Sequence, residues 1–240
     1  MDEAGHFSGG GAATASPRPC TAHSLRYNAD MSVTSQQSEQ RVLLSGITWS
    51  TFESLLADTQ NHGTRFTYDR GYLEMMSPSR EHERLKRFIG RMIETATEEW
   101  GIPISSASST TLKAEWNERG LEADESYYIA NEPRVRGRDE IDLRVDPPPD
   151  LAVEVDISSS SLDQLGIYAD LGVPEVWLYD GTTLKVYQLQ PDGKYAPQTR
   201  SPSFPLLPLD EVQRHLARRD ETDETTWIRA FRAWVKTITP

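Results

Sequence analysis

The stretch Pro149-Asp150-Leu151-Ala152-Val153-Glu154-Val155-Asp156-Ile157 decides how the whole chain reads. Side chains alternate faces along a strand, so Leu151, Val153, Val155 and Ile157 share one face. Asp150, Ala152, Glu154 and Asp156 share the other. Three carboxylates on one strand face repel each other unless a cation or a basic group balances them. A solvated edge strand is one way to house them. Against it, a strand this apolar fits the middle of a sheet better than its margin.

Working outward, Ser158–Ser161 read as the cap region of a helix running to Leu171 and stopped by Gly172. Glu175–Tyr179 and Thr183–Leu189 form a hairpin that turns at Asp180-Gly181. Asp210–Arg219 and Thr226–Thr237 read as two terminal helices. Upstream, the charged, proline-rich passage from Asn131 to Pro149 is a loop, and short strands are expected over Ile104–Ser108, Thr111–Lys113 and Ser126–Ile129. Thr48 caps a short helix carrying Phe52, Leu55 and Leu56. Arg65–Tyr68 and Tyr72–Met76 make a second hairpin around Asp69-Arg70-Gly71. Residues 1–40, rich in Gly, Ala, Ser, Thr, Gln and Pro, bury too little apolar surface to offset chain entropy and read as a disordered tail. Met31 is an alternative start.

A long helix follows Ser77-Pro78-Ser79 and runs to about Trp100, with Gly101 and Pro103 as stop signals. Leu85, Phe88, Ile89, Met92, Ile93 and Ala96 form its apolar face. In projection Glu81 falls between Phe88 and Met92 and points inward, while His82 lies at the other rim. Arg80, Arg84, Arg87 and Arg91 gather within roughly 60° on the far side. Glu81 and His82 entering a site, with the arginines on phosphates, is one reading. A dipole-favoured acid, a half-buried histidine and a solvated face is the other, and for the arginines the second fits better because Glu83, Glu94, Glu98 and Glu99 dilute the stripe.

Composition narrows the function. The hydrophobic share of 37% in 240 residues suits one domain, or one domain with a tail. The formal charge of −12 excludes a protein that coats duplex DNA with a basic surface, so any nucleic-acid role needs a local basic patch or a bound metal. Cys20 is the only cysteine, which excludes internal disulfides, CxxC zinc sites and iron–sulfur clusters. His6, His23, His62, His82 and His215 show no HExxH spacing, and there is no GxGxxG or P-loop. With neither a secretory signal nor a membrane-length apolar run, a soluble cytoplasmic protein is expected.

The run Pro149–Val155, the serines after it, and Ile167-Tyr168-Ala169-Asp170-Leu171-Gly172-Val173-Pro174-Glu175-Val176-Trp177 resemble the Uma-two family of restriction endonucleases. Gly71-Tyr72-Leu73-Glu74-Met75-Met76-Ser77-Pro78 leading to His82, and Leu121–Ile129, extend the match over roughly residues 43 to 205. The resemblance implies an α/β fold with a restriction-endonuclease-like core of the PD-(D/E)XK type, a mixed central sheet flanked by helices. That core would span residues 41–207, with 208–240 as a C-terminal helical extension. By position, Asp124 matches the acid of the "PD" half-motif and Glu154 that of the (D/E)XK half. The two would bind Mg²⁺ or Mn²⁺ with the main-chain carbonyl of Val155. Glu81, or alternatively Glu74, would add a carboxylate, and His82 matches the helix histidine. Hard oxygen ligands suit these ions, which keep several waters and take a substrate phosphate directly.

The chain departs from the pattern in three places. Ala123 replaces the proline, Asp156 replaces the strand lysine, and Gln164 stands where relatives supply a basic residue from the next helix. Glutamine orients a water but does not stabilise charge as an ammonium does; Lys113 and Lys185 are substitutes that spacing does not place. The resemblance implies a metal-dependent endonuclease acting on DNA, with Asp124 and Glu154 on the ion, Asp156 assisting or holding a second ion, and Gln164 positioning water. The alternative is a catalytically degenerate nuclease fold that binds nucleic acid or protein. A homodimer would suit cleavage of both strands, though no interface is legible.

Overall fold

The computed structural model describes residues 39–58, 63–108 and 110–238; residues 1–38 of the expected disordered tail lie outside them, while its last two, Glu39 and Gln40, are ordered, Gln40 opening a strand paired in a sheet. The chain opens with β1 (Gln40–Ser45), α1 (Trp49–Ala57) and the hairpin β2 (Arg65–Asp69) and β3 (Tyr72–Ser77). Thr48 caps α1 through its side chain. The hairpin turns on Arg70 and Gly71, both with positive φ (48° and 90°), the geometry a tight two-residue turn demands and glycine supplies most cheaply.

Helix α2 (Arg80–Trp100) begins at Ser79, whose hydroxyl accepts from the His82 amide, and ends at Gly101 in the left-handed region. Short strands follow: β4 (Ser105–Ser106), β5 (Thr111–Ala114), β6 (Arg119–Glu122) and β7 (Glu125–Tyr128). The one-turn α3 (Glu132–Val135) interrupts the expected loop. Then come β8 (Leu151–Val155), α4 (Gln164–Asp170), β9 (Glu175–Tyr179), β10 (Leu184–Leu189), β11 (Tyr195–Gln198), α5 (Leu209–Ala217) and α6 (Glu224–Val235).

Two sheets result. An antiparallel five-stranded sheet has the order β1-β3-β2-β6-β5, and a six-stranded one β11-β10-β9-β8-β7-β4. In the second, only β8 and β9 are parallel, because α4 carries the chain back between them. β8 is therefore interior, and the edge-strand reading of its acids falls. It is also shorter than the 150–157 expected. Asp150 leaves the strand to accept from the amides of Ile129 and Asn131 and from the Asn131 side chain.

The alternation along β8 separates two cores. Leu151, Val153 and Val155 pack with Leu85, Phe88, Ile89, Met92, Ile93 and Ala96 of α2, the face expected from sequence. Ala152 on the other side joins Leu121, Ala123, Ile167, Tyr168 and Val176. Glu154 shares that second side, so its carboxylate enters the layer between β8, α4 and the first sheet.

The terminal helices are not an appendage. Val212 and Leu216 of α5, and Trp227, Phe231 and Val235 of α6, belong to the core that contains Trp177 and α2. A surface stripe cannot do this; an apolar face at helical spacing can. The arginines of α2 fasten the same region, Arg84 to Asp220 at 2.7 Å and Arg91 to Glu224 at 3.0 Å. Phe231→Ala should therefore cost about 3–5 kcal/mol in urea unfolding, as for an aromatic lost from a core. A change of less than about 1 kcal/mol would return 208–240 to the status of an extension.

Candidate active site

Asp124 occupies the two-residue link, Ala123 and Asp124, where the chain leaves β6 of one sheet for β7 of the other. Its Oδ2 accepts from the main-chain N–H of Val155 at 2.8 Å. That bond sets Asp124 beside the end of β8 and beside Glu154, one residue earlier. Both acids are buried, at 2% and 4% exposure. The bond to the Val155 amide thus brings Asp124 next to a strand position 31 residues later in the chain, close enough for its charge to act on Glu154.

Two like charges in a protected layer need compensation. His82 of α2, fully buried, binds Asp124 Oδ1 through Nε2 at 2.8 Å and Glu39 through Nδ1 at 2.5 Å. Burial works against its charged form, but the bonds to Asp124 and Glu39 outweigh burial and raise its pKa to about 9. His82 is thus an imidazolium held between carboxylates. Burial, and then the charge of Asp124, push Glu154 well above the usual carboxylate range, while the Tyr168 hydroxyl, His82 and Arg65 pull it back. Tyr168 of α4 donates its hydroxyl to Glu154 Oε1.

A second cluster adjoins the first. The Arg41 side chain from β1 reaches Glu74 of β3 at 2.7 Å, Asp156 at 3.4 Å and the Ser158 hydroxyl at 2.8 Å. Glu74 also accepts from the Ser160 hydroxyl at 2.8 Å and the Ser161 amide at 2.7 Å. Ser158 in turn donates to Glu39. The serines after β8 are therefore strapped to the first sheet. They are not the cap of α4, which is Asp163.

Several expectations about individual residues change. Glu81 does not point inward: it is 39% exposed and pairs with Arg84 at 3.0 Å and Arg219 at 3.2 Å. His82, expected at the rim, is the inward residue: the apolar face packs as drawn, and of its two rims the one with His82 is covered while Glu81 on the other meets Arg84 and Arg219. Glu74 is committed to Arg41 and the serines, and Asp156 to Arg41. Gln164 lies in the first turn of α4, one helical turn before Tyr168 and half-buried. Lys113 pairs with Glu53 and Lys185 with Asp180, so neither substitutes for the missing strand lysine. Sequence reasoning missed Glu39, Arg41, Arg65 and Tyr168. Only Tyr168 carried a signal, four residues after Gln164 on the same helical face.

Asp124 and Glu154 offer only hard oxygen donors. Among the described residues no group of three or more His, Cys, Asp or Glu side chains is disposed to hold a metal ion. A divalent ion here would rest on these two carboxylates, which with waters and a phosphate is the set magnesium ordinarily takes. It would share Asp124 with His82 and the Val155 amide. A like-charged pair with one acid driven toward protonation fits such an ion.

Two packed sheets with buried acids at their junction define a protein of the restriction-endonuclease-like α/β class. The family model described as "Putative restriction endonuclease" matches residues 49–218, and the chain belongs to that family, Uma2. The match contains His82, Asp124, Glu154 and Tyr168 but not Glu39 or Arg41. Comparison with curated proteins gave no match. No helix among the described residues is long and apolar enough to cross a membrane.

The charges fix how stability follows pH. His82 titrates higher when folded than unfolded, so its contribution is complete below its ordinary pKa and lost as pH rises through about 9. Glu154, also raised, holds a proton that the unfolded chain has released, so rising pH costs stability there too. In EDTA the melting temperature should fall by several degrees between pH 6.5 and 9, and His82→Gln should flatten that slope. A melting temperature that rises over this range would contradict the assignment.

Proposed function

We propose that the protein is a metal-dependent endonuclease that hydrolyses DNA phosphodiester bonds, with Asp124 and Glu154 as the ligands of Mg²⁺ or Mn²⁺. The observation that carries this reading is the meeting of two buried carboxylates at the end of β8. Family membership supports the nuclease class. When bound, the ion supplies charge neutralisation at the phosphate and an acidified water. The main-chain carbonyl of Val155 is the third protein donor in this reading.

The chain's own residues do the rest. Tyr168 holds Glu154 in one rotamer through its hydroxyl. His82 anchors Asp124 and, fully enclosed, acts through it rather than on substrate. Gln164 orients the attacking water by hydrogen bonding from the first turn of α4. Asp156, tied to Arg41, assists by holding the chain segment beyond β8. The strap from Arg41 and Glu74 to the serines fixes the entry to α4, and with it both Tyr168 and Gln164. DNA is the substrate in this reading, met by a protein of net charge −12 through a bound cation rather than a basic surface. The arginines of α2 add little, since Arg84 and Arg91 are neutralised by Asp220 and Glu224.

Glu154→Ala should abolish Mg²⁺- or Mn²⁺-dependent nicking of plasmid DNA and remove the calorimetric signal for Mn²⁺, with circular dichroism unchanged. Tyr168→Phe should reduce cleavage about tenfold or more, as when a hydrogen bond to a charged group is lost. A wild-type protein that cuts no form of DNA with either ion would overturn the reading.

A further inference from the structure

The lysine that the strand motif lacks leaves a question of charge: which cation of this chain can meet a phosphate beside the acids? His82 cannot, because both ring nitrogens are engaged and the residue is fully buried. Arg41 is spent on Glu74, Asp156 and Ser158. Arg65, at the start of β2, is placed differently. Its Nη2 lies 3.9 Å from Asp124 Oδ1 and 3.2 Å from Glu83 Oε1, and its Nη1 donates to the main-chain oxygen of Ala123 at 3.5 Å. With Gly63, Thr64, Ser77, Pro78, Glu83 and Glu122 it lines a cleft of about 490 Å³. One guanidinium therefore joins the buried acid to solvent.

Its partners differ in kind. Asp124 is buried, but Glu83 is 46% exposed on the first turns of α2. Glu83 is thus the solvent-facing member of its pair, while the Arg65 side chain is only 11% exposed. A guanidinium presents a planar fork suited to two phosphate oxygens, which neither Gln164 nor a lysine matches.

We propose that Arg65 is the phosphate-contacting residue of this site, and that Glu83 is the anion that occupies its guanidinium until a DNA phosphate displaces it. The proposal rests on the nuclease reading above and adds to it the source of the positive charge. Arg65 reaches substrate from the first sheet, not from the strand motif or the helix after it. Glu83 makes the site self-screened: phosphate must compete with a carboxylate of the same chain, which disfavours weak, non-specific anions.

The test is fluorescence anisotropy of a short labelled DNA duplex with the full chain, Ca²⁺ replacing Mg²⁺, over a range of salt. Arg65→Ala should weaken binding about tenfold or more, and should reduce the salt slope by about one. Arg65→Lys should recover part of that loss. Glu83→Gln should do the opposite and tighten binding, because the competitor is gone. A purely structural ion pair predicts lower melting temperatures for both variants and no gain of affinity for Glu83→Gln. That result overturns the assignment, as does wild-type affinity in Arg65→Ala. If Arg65→Ala does not fold, Glu83→Gln and Arg65→Lys decide. A wild type that binds duplex while the variants behave alike removes the Arg65 assignment only. A wild type that retains no duplex removes the nuclease reading, and this assignment with it.

Discussion

Two acids shut away from solvent govern this structure. Asp124 and Glu154 are each nearly inaccessible, so burial and the charge of Asp124 together drive Glu154 toward its protonated form. Everything around them answers the cost of enclosing them. His82 is kept protonated and buried between Asp124 and Glu39, Tyr168 donates to Glu154, and the Val155 amide donates to Asp124. Breaking a buried pair costs more than making it gains, since the partner is left uncompensated. The site is therefore held by mutual necessity, and a cation arriving there would relieve a tension already present.

The two sheets have separate tasks. The six-stranded sheet carries Glu154 on an interior strand, where the alternation of side chains sends Val153 and Val155 to α2 and Glu154 to the other side. The five-stranded sheet supplies the surroundings: Arg65 from β2, Glu74 from β3, Arg41 from β1 and Glu39 just before it. Asp124 sits at the crossing from one sheet to the other. Hydrogen bonds from Glu39 through Ser158 and Arg41 to Glu74 then tie the first sheet to the segment that leads into α4. Movement of either sheet would be felt at the acids.

The outer face of α2 shows how charge patterns can mislead. Four arginines at helical spacing suggest a phosphate track, yet Arg84 and Arg91 meet acids that follow α5 and open α6. Those ion pairs flank the packing of Trp227 against Phe88, whose rings lie 4.8 Å apart edge to face. The stripe belongs to the assembly of the helical layer. Arg65, by contrast, stands alone in a short strand, and no pattern draws the eye to it.

The sequence by itself determined the elements with strong periodicity and clear stops. These are α2 with its apolar face, both hairpins, the strand of Leu151–Val155, and, through family resemblance, the restriction-endonuclease-like class. Short strands without alternation escaped, among them β6 with its Arg119-Gly120-Leu121-Glu122 and β1 as a paired strand. Both are held by neighbours rather than by their own composition. Only the tertiary structure decided that His82 rather than Glu81 faces the acids, since the two stand on opposite rims of one apolar face and packing chooses which rim is covered. It also decided that Glu39, Arg41, Arg65 and Tyr168 surround the site. The reason is physical: local spacing fixes which face a side chain shares, but charges from distant strands are brought together by packing, and packing is not written in any one window of the chain.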